Sequence, residues 1–359
     1  MGFAPCSTGG TQRWQPGHAP EHHAGCRNPR PGSRVTGADD HRSRGGRGAM
    51  AIAIVFPGQG SQFSGMADPW TEHPAGQSVL HEASEAMGRD VVGGCRDDEA
   101  LATTEFVQPA LLACDVAAGR VLEAEGVTFG AAAGHSLGEF AALVAAGVLD
   151  LAPALEAVVT RGRAMQMAAE QRPGTMSALI GVGPTEAAEI CEVAGRGDVL
   201  AVANENAANQ VVLSGSVAAI DRAEELARSR GVKAIRLKVA GAFHSPLMQP
   251  AVEPIRAALA GIEFREPRFP IVANVSGRFV GDPAALRDGL SRHVVSPVRW
   301  ERSMHALGRA GFDVFVEAGP GQVLSKLAKR ELPGVRVTVV GSPREAEDFA
   351  RSISQGVVS

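Results

Sequence analysis

The 359-residue sequence has no tyrosine, and its aromatic residues together make up only 4% of the chain. Arginine outnumbers lysine 31 to 4; both biases are read as the mark of a GC-rich genome and say little about function. No apolar run approaches the roughly 18 residues that a membrane-spanning helix needs, and no N-terminal segment reads as a signal peptide. The net charge of −4, from 35 basic and 39 acidic residues, leaves no excess of either sign that would argue for nucleic acid or membrane lipid as a partner. The five cysteines, Cys6, Cys26, Cys95, Cys114 and Cys191, are odd in number and scattered, with no C-x-x-C pair. That argues against a disulfide framework or a zinc site and for reduced thiols in the cytoplasm. What is present is a 45% share of hydrophobic residues, enough to bury one large core or two smaller ones.

Residues 1–49 stand apart. They hold ten Gly, five Pro, seven Arg and four His, but no Leu or Ile and a single Val. Such a segment cannot bury enough apolar surface to offset its ordering entropy. A disordered N-terminal extension is expected there, with the globular part starting at Met50.

From that point strands alternate with helices. Residues 51–56 (AIAIVF) are a short apolar run ended by Pro57-Gly58, consistent with a buried parallel strand. Residues 108–125 read as a helix, 129–134 as a strand of small residues, and 139–146 and 152–170 as helices. The middle reads as strand 176–182, helix 184–193, strands 199–203 and 210–214, helix 217–230 and strand 232–239. That βαββαβ order is the ferredoxin-like arrangement. The expected fold class is therefore α/β: a large domain with a parallel sheet over 50–172 and 243–345, and an inserted ferredoxin-like small domain over 173–242. A C-terminal tail over 346–359 follows.

Gly134-His135-Ser136-Leu137-Gly138 fits G-x-S-x-G and lies between a small-residue strand and a helix. A sharp strand-to-helix turn needs Gly on both sides, and it exposes the serine hydroxyl at a helix N-terminus, where backbone N–H groups can stabilise an oxyanion. Ser136 is the candidate nucleophile; otherwise it would merely cap the helix. A serine needs a base. His135 points away on a sharp turn, which leaves His73, His81, His244, His293 and His305. His244 is favoured because Gly241-Ala242-Phe243-His244-Ser245-Pro246 follows a strand where the chain re-enters the large domain. No Asp or Glu has an evident orienting role, so a backbone carbonyl is expected to hold Nδ1–H and turn Nε2 to the serine. Gly58-Gln59-Gly60 also follows a strand, but Phe63 stands where G-x-G-x-x-G needs its third Gly, so no dinucleotide fingerprint is present. Gly319-Pro320-Gly321 is a turn signal.

Six motifs occur in order: Pro57-Gly58-Gln59-Gly60-Ser61-Gln62, Gln108-Pro109-Ala110-Leu111, Gly134-His135-Ser136-Leu137-Gly138-Glu139, Arg161-Gly162 with Met165-Gln166, Gly241-Ala242-Phe243-His244, and Pro297-Val298-Arg299-Trp300. Together they resemble the malonyl-CoA:acyl-carrier-protein transacylase family, which includes the acyltransferase domains of polyketide synthases, over about residues 50–340. The family fold, a hydrolase-like domain with a ferredoxin-like insert, agrees with the pattern above. The resemblance implies that Ser136 is acylated and that His244 is its general base. It implies that the backbone amides of Gln59 and Leu137 form the oxyanion hole, and that Arg161 clamps the free carboxylate of a malonyl group. A planar guanidinium fork suits that last role; Arg163 is expected to make only a surface salt bridge. Phe243 is implied to exclude a methyl branch on the substrate. His293 stands where many relatives carry Gln and is implied to support His244 through its main-chain carbonyl; its ring could also be read as a second base.

The implied activity is transfer of malonyl from malonyl-CoA to an acyl carrier protein, in fatty acid or polyketide biosynthesis. No cofactor or metal is expected, coenzyme A entering only as the thioester substrate. A cytoplasmic monomer is expected, with no nucleic-acid or membrane partner. Residues 50–359 carry a net −8, and carrier proteins are acidic, so a local basic patch is expected at the mouth of the site, with Arg299 and Arg302 as candidates. Two other readings remain: a thioesterase using the same serine on acyl-CoA or acyl-carrier substrates, and a non-catalytic partner in a synthase assembly.

Overall fold

The computed structural model describes residues 51–355; the expected extension over 1–49 lies outside them. Ile52–Phe56 forms β1, with all five residues buried, as a strand covered on both faces requires. Ala131–Gly134 forms β2, parallel to β1 with Phe56 opposite Gly134. The chain then leaves this sheet for β3 (Thr175–Ile180), β4 (Leu200–Ala207), β5 (Gln210–Gly215) and β6 (Lys233–Arg236). It returns with β7 (Ile271–Ala273), β8 (Arg278–Val280), β9 (Val314–Ala318) and β10 (Arg336–Val340).

The large sheet has the order β10-β9-β1-β2-β7-β8. Its first five strands are parallel, and β8 is an antiparallel edge paired to β7. The tight turn between them, closed by a bond from Gly277 N–H to Ala273 O at 2.8 Å, can join only antiparallel neighbours. Side chains alternate across the sheet. Ile52, Ile54 and Phe56 pack with the Thr104–Ala124 helix on one face. Ala53 and Val55 meet the Trp300–Arg309 and Val323–Glu331 helices on the other. This is a mixed α/β layer structure with a largely parallel sheet.

The middle segment makes its own four-stranded antiparallel sheet, in the order β4-β5-β3-β6. The Pro184–Gly195 and Val217–Ser229 helices cover it over a separate apolar core of Leu179, Ile190, Val211, Leu213 and Ile220. The final strand is shorter than expected. The regular ladder ends at Arg236, with one further bond from Leu237 N–H to Met176 O at 2.9 Å, and residues 237–239 line a cleft. The C-terminal tail expected from 346 is replaced by a helix, Pro343–Ser354. Ser342 caps it, accepting from Glu345 N–H at 3.4 Å. Ala346, Phe349 and Ala350 are buried at helical spacing, so this segment belongs to the core as far as it is described.

One buried group works against the fold. Asp115, in the Thr104–Ala124 helix, is fully buried, and neither carboxylate oxygen has a hydrogen-bond partner among the described residues. Burial, and after it the Glu317 carboxylate, hold its pKa well above the ordinary value. Below the ordinary carboxylate range both folded and unfolded chains are protonated. As pH rises through that range the unfolded chain ionises while the native one holds its proton, so stability falls. Asp115→Asn is therefore expected to raise the melting temperature at pH 7 by about 2 °C or more, the shift that about 1 kcal/mol gives a chain of this size. The gain should shrink toward pH 4, and a gain independent of pH would refute the assignment.

Candidate active site

The sharp turn expected after β2 is present. Ser136 has φ 52°, a left-handed conformation that costs a residue with a Cβ on the order of 1–2 kcal/mol. The flanking glycines permit it. A Cβ on Gly134 would lie 1.9 Å from the Gly138 backbone, and one on Gly138 would lie 2.2 Å from Phe56 O. The Gly138–Ala145 helix starts immediately after. Gly138 N–H donates to His135 O at 3.0 Å and Glu139 N–H to Ser136 O at 3.1 Å, while Leu137 N–H takes no part in these turn bonds.

His244 enters from the other end of the inserted segment, also with positive φ, 57°. Its Nε2 lies 2.8 Å from Ser136 Oγ. Its Nδ1 lies 3.0 Å from His293 O and 3.1 Å from Ser296 O. Carbonyls can only accept, so Nδ1 carries the proton and Nε2 offers its lone pair to the serine. Among the described residues no carboxylate orients the ring. Burial, then the Arg161 cation, push the pKa of His244 down to about 3, so the imidazole is neutral and able to take a proton at physiological pH.

Arg161 projects from the Leu151–Gln171 helix and is only 2% exposed. Its Nη1 donates to Gln108 Oε1 at 2.5 Å and its Nη2 to Ser136 Oγ at 3.3 Å. Among the described residues no carboxylate lies within ion-pair distance of this guanidinium. Glu139 acts on it only through its field, and burial lowers the pKa of Arg161 to about 10, which leaves it charged. Burial lifts Glu139 to about 7, against the pull of Asn274 and Arg161. Gln59 lies in the loop after β1 and its Oε1 accepts from Gln108 Nε2 at 3.2 Å. Phe243 is buried beside His244. Gln59, Ser136, Arg161, Phe243 and His244 line one cleft of about 130 Å³, with Leu137 buried beneath the turn.

The ring of His293 does not reach the serine. It is fully buried, its centroid 5.2 Å from that of His244; among the described residues neither ring nitrogen has a hydrogen-bond partner, and Glu139 Oε2 lies 3.9 Å from Nε2. Burial, His244 and Arg161 hold its pKa well below the ordinary value. Its hydrogen bond to His244 runs through the main-chain carbonyl, and the two rings pack at a tilt. His135 also borders the cleft, but its ring is engaged elsewhere: Nε2–H donates to Asn206 Oδ1 at 2.9 Å, and the ring stands edge-on to Trp300. Arg299 and Arg302 do not form a free basic patch, because both pair with Glu205, at 3.3 and 3.4 Å. Among the described residues that line the cleft, the cations are the buried Arg161 and Lys238. Arg163 makes the expected exposed pair with Glu105.

The acyl transferase domain family matches residues 53–357. The chain is also 39% identical over 297 residues to the malonyl CoA-acyl carrier protein transacylase of Salmonella typhimurium, an alignment that covers 81% of this chain and 96% of that protein. The chain belongs to the malonyl CoA-acyl carrier protein transacylase family. Solved structures of transacylases share its fold. That of the Coxiella burnetii malonyl CoA-acyl carrier protein transacylase superposes with a TM-score of 0.82 at 36% identity, covering 85% of this chain and 98% of its own. A malonyl-transacylase solved in complex with a type II PKS acyl-carrier protein gives a TM-score of 0.81 at 35% identity, covering 84% and 99%.

Gln108, which lines the cleft, and Glu139 and Asn274, which are buried against the Ser136 turn, were not singled out from the sequence. Gln108 and Glu139 lie inside the transacylase motifs but carry no chemistry of their own. Asn274 directly follows β7. The usable signal was position: loops at the carboxyl ends of adjacent parallel strands converge, here after β1, β2 and β7.

Proposed function

We propose that this protein transfers a malonyl group from coenzyme A to the phosphopantetheine thiol of an acyl carrier protein through an acyl-serine intermediate. His244 Nε2 takes the proton of Ser136 as Oγ attacks the thioester carbonyl. The developing oxyanion is received by the backbone N–H groups of Gln59 and Leu137. The tetrahedral intermediate collapses, the C–S bond breaks, and coenzyme A leaves with the proton from His244. The carrier thiol then repeats the sequence in reverse, giving its proton to His244 and releasing Ser136. Every proton in this scheme moves between Ser136, His244 and the two thiols, so neither a metal nor a redox group is called for.

The observation that carries the malonyl assignment is Arg161, a buried guanidinium 3.3 Å from Ser136 Oγ with no carboxylate partner among the described residues. A substrate carboxylate satisfies it; a neutral acyl group would leave it unpaired. Phe243 supports selection against a methyl branch. The names of the relatives support the choice of carrier protein as acceptor, and the family's two settings are fatty acid and polyketide biosynthesis. We read the large unit as hydrolase-like, on its G-x-S-x-G turn after a parallel strand. We read the small unit as ferredoxin-like, on its βαββαβ order. Three thiols that are free, Cys95, Cys114 and Cys191, support a cytoplasmic setting. Among the described residues no helix is long and apolar enough to cross a membrane. A monomer fits the scheme, since one chain supplies every group it uses.

Mass spectrometry after mixing with malonyl-CoA separates the readings. A stable malonyl adduct on Ser136 that is chased by holo-carrier protein supports transfer. Rapid turnover without carrier indicates a thioesterase, and the absence of any adduct indicates a non-catalytic partner.

A further inference from the structure

A left-handed serine persists only where its surroundings over-determine it. At Ser136 one side chain adds to the turn's own backbone bonds. Asn274 Oδ1 accepts from Ser136 N–H at 2.8 Å, and Asn274 Nδ2 donates to Gly134 O at 2.5 Å. The two main-chain groups lie on either side of His135, so a single amide spans the turn from its entry to its apex. The pairing also decides which end of the amide is oxygen, because an N–H must meet an acceptor and a carbonyl a donor.

Asn274 is itself immobilised. It is fully buried, its N–H donates to Glu139 Oε2 at 3.1 Å, and its carbonyl accepts from Arg299 N–H at 3.0 Å. Glu139 stands in the first turn of the helix that follows Ser136, so strand end, turn, amide and helix close into one ring of bonds. The register explains the reach: β7 runs beside β2 with Val272 opposite Ala133, which brings the next residues of both strands out together at the sheet edge.

We infer that Asn274 is the positioning residue of the nucleophile turn, its side-chain amide bridging Gly134 O and Ser136 N–H and so holding Ser136 Oγ in line with His244. It also engages the Ser136 N–H, which leaves the N–H of Leu137 as the donor from this turn that faces a reacting carbonyl. The inference rests on Ser136 being the nucleophile but not on the identity of the acyl group.

Two variants and two readouts test it in the full-length chain. Asn274→Ala should lower the rate of acyl-enzyme formation from malonyl-CoA about 100-fold, the loss expected from a misplacement of about 1 Å, with KM changed less than about threefold. The same variant should slow labelling of Ser136 by a fluorophosphonate probe, which needs an aligned serine but neither Arg161 nor a carboxylate. Asn274→Asp keeps the shape. Ionised, it presents an acceptor to Gly134 O and should be as poor as Ala; protonated, it restores the donor and acceptor pair. Its rate relative to wild type should therefore climb as pH falls. Glu139 and Arg161, with His135, His244 and His293, are common to both proteins, so the ratio isolates position 274. A probe rate near wild type in folded Asn274→Ala, a loss confined to KM, or an Asn274→Asp ratio that stays flat with pH would each overturn the assignment. If wild type reacted with the probe but took no malonyl, the transfer reading would fail while the positioning role could still be read from the probe.

Discussion

Arg161→Ala is expected to cut malonyl transfer by a factor of hundreds to thousands while acetyl transfer falls little or rises. Removing the guanidinium would leave the substrate carboxylate buried and unpaired, and breaking such a pair costs about 3–5 kcal/mol. Acetyl-CoA presents no carboxylate, and its methyl group would no longer face an unpaired cation. The ratio of kcat/KM for the two donors, in wild type and variant, is the measurement. It should swing toward acetyl by about two decades or more. A second signature follows from the charge itself. The Arg161 cation is one of the causes that depress the pKa of His244, so its removal should raise that pKa and move the acid limb of acetyl transfer to higher pH. Equal losses with both donors would assign Arg161 a structural role, through its bond to Gln108, and withdraw the malonyl assignment.

Ser136→Ala should abolish acyl-enzyme formation with the fold intact, and His244→Ala should slow acylation by about 10²–10⁴-fold, the range for loss of a general base. His293→Ala should do much less, because His293 reaches His244 through a main-chain carbonyl at 3.0 Å that the substitution keeps. A larger loss at 293 than at 244 would mean that the base has been misassigned. The wild-type acid limb should lie well below the ordinary histidine range, since burial and Arg161 keep His244 deprotonated. An acid limb near the usual histidine pKa would contradict the buried, neutral imidazole described here.

The parts of the site that could be read from the sequence were those in which local backbone geometry and chemistry coincide. Gly134, Ser136 and Gly138 are such a set, because the turn is built from neighbours and only Gly tolerates approaches of about 2 Å. His244 was legible for a related reason: it follows the last strand of the insert and the start of a short, glycine-containing segment. The Pro343–Ser354 helix was missed although Ser342 and Glu345 mark its start, because its apolar stripe is short and follows a segment read as the end of the domain. Arg299 and Arg302 were misjudged because their partner, Glu205, lies far away in sequence on β4.

By itself, then, the sequence determined the alternation of strands and helices, the sharp turn at Ser136 and the candidate pair of Ser136 with His244. The strands, the helices and the turn depend on residues close together in the chain; Ser136 and His244, 108 residues apart, were each legible from a short motif directly after a strand. Tertiary structure alone decided the strand order β10-β9-β1-β2-β7-β8, the reversal of β8, and the way Gln108, Arg161, Glu139 and Asn274 close around the serine. Apart from Glu139, which follows Ser136 closely, those groups lie far from the serine in the chain, and hydrogen bonds between them have no sequence period. They are set by which strands pair, because pairing decides which loops meet at the sheet edge and which polar side chains are buried together there.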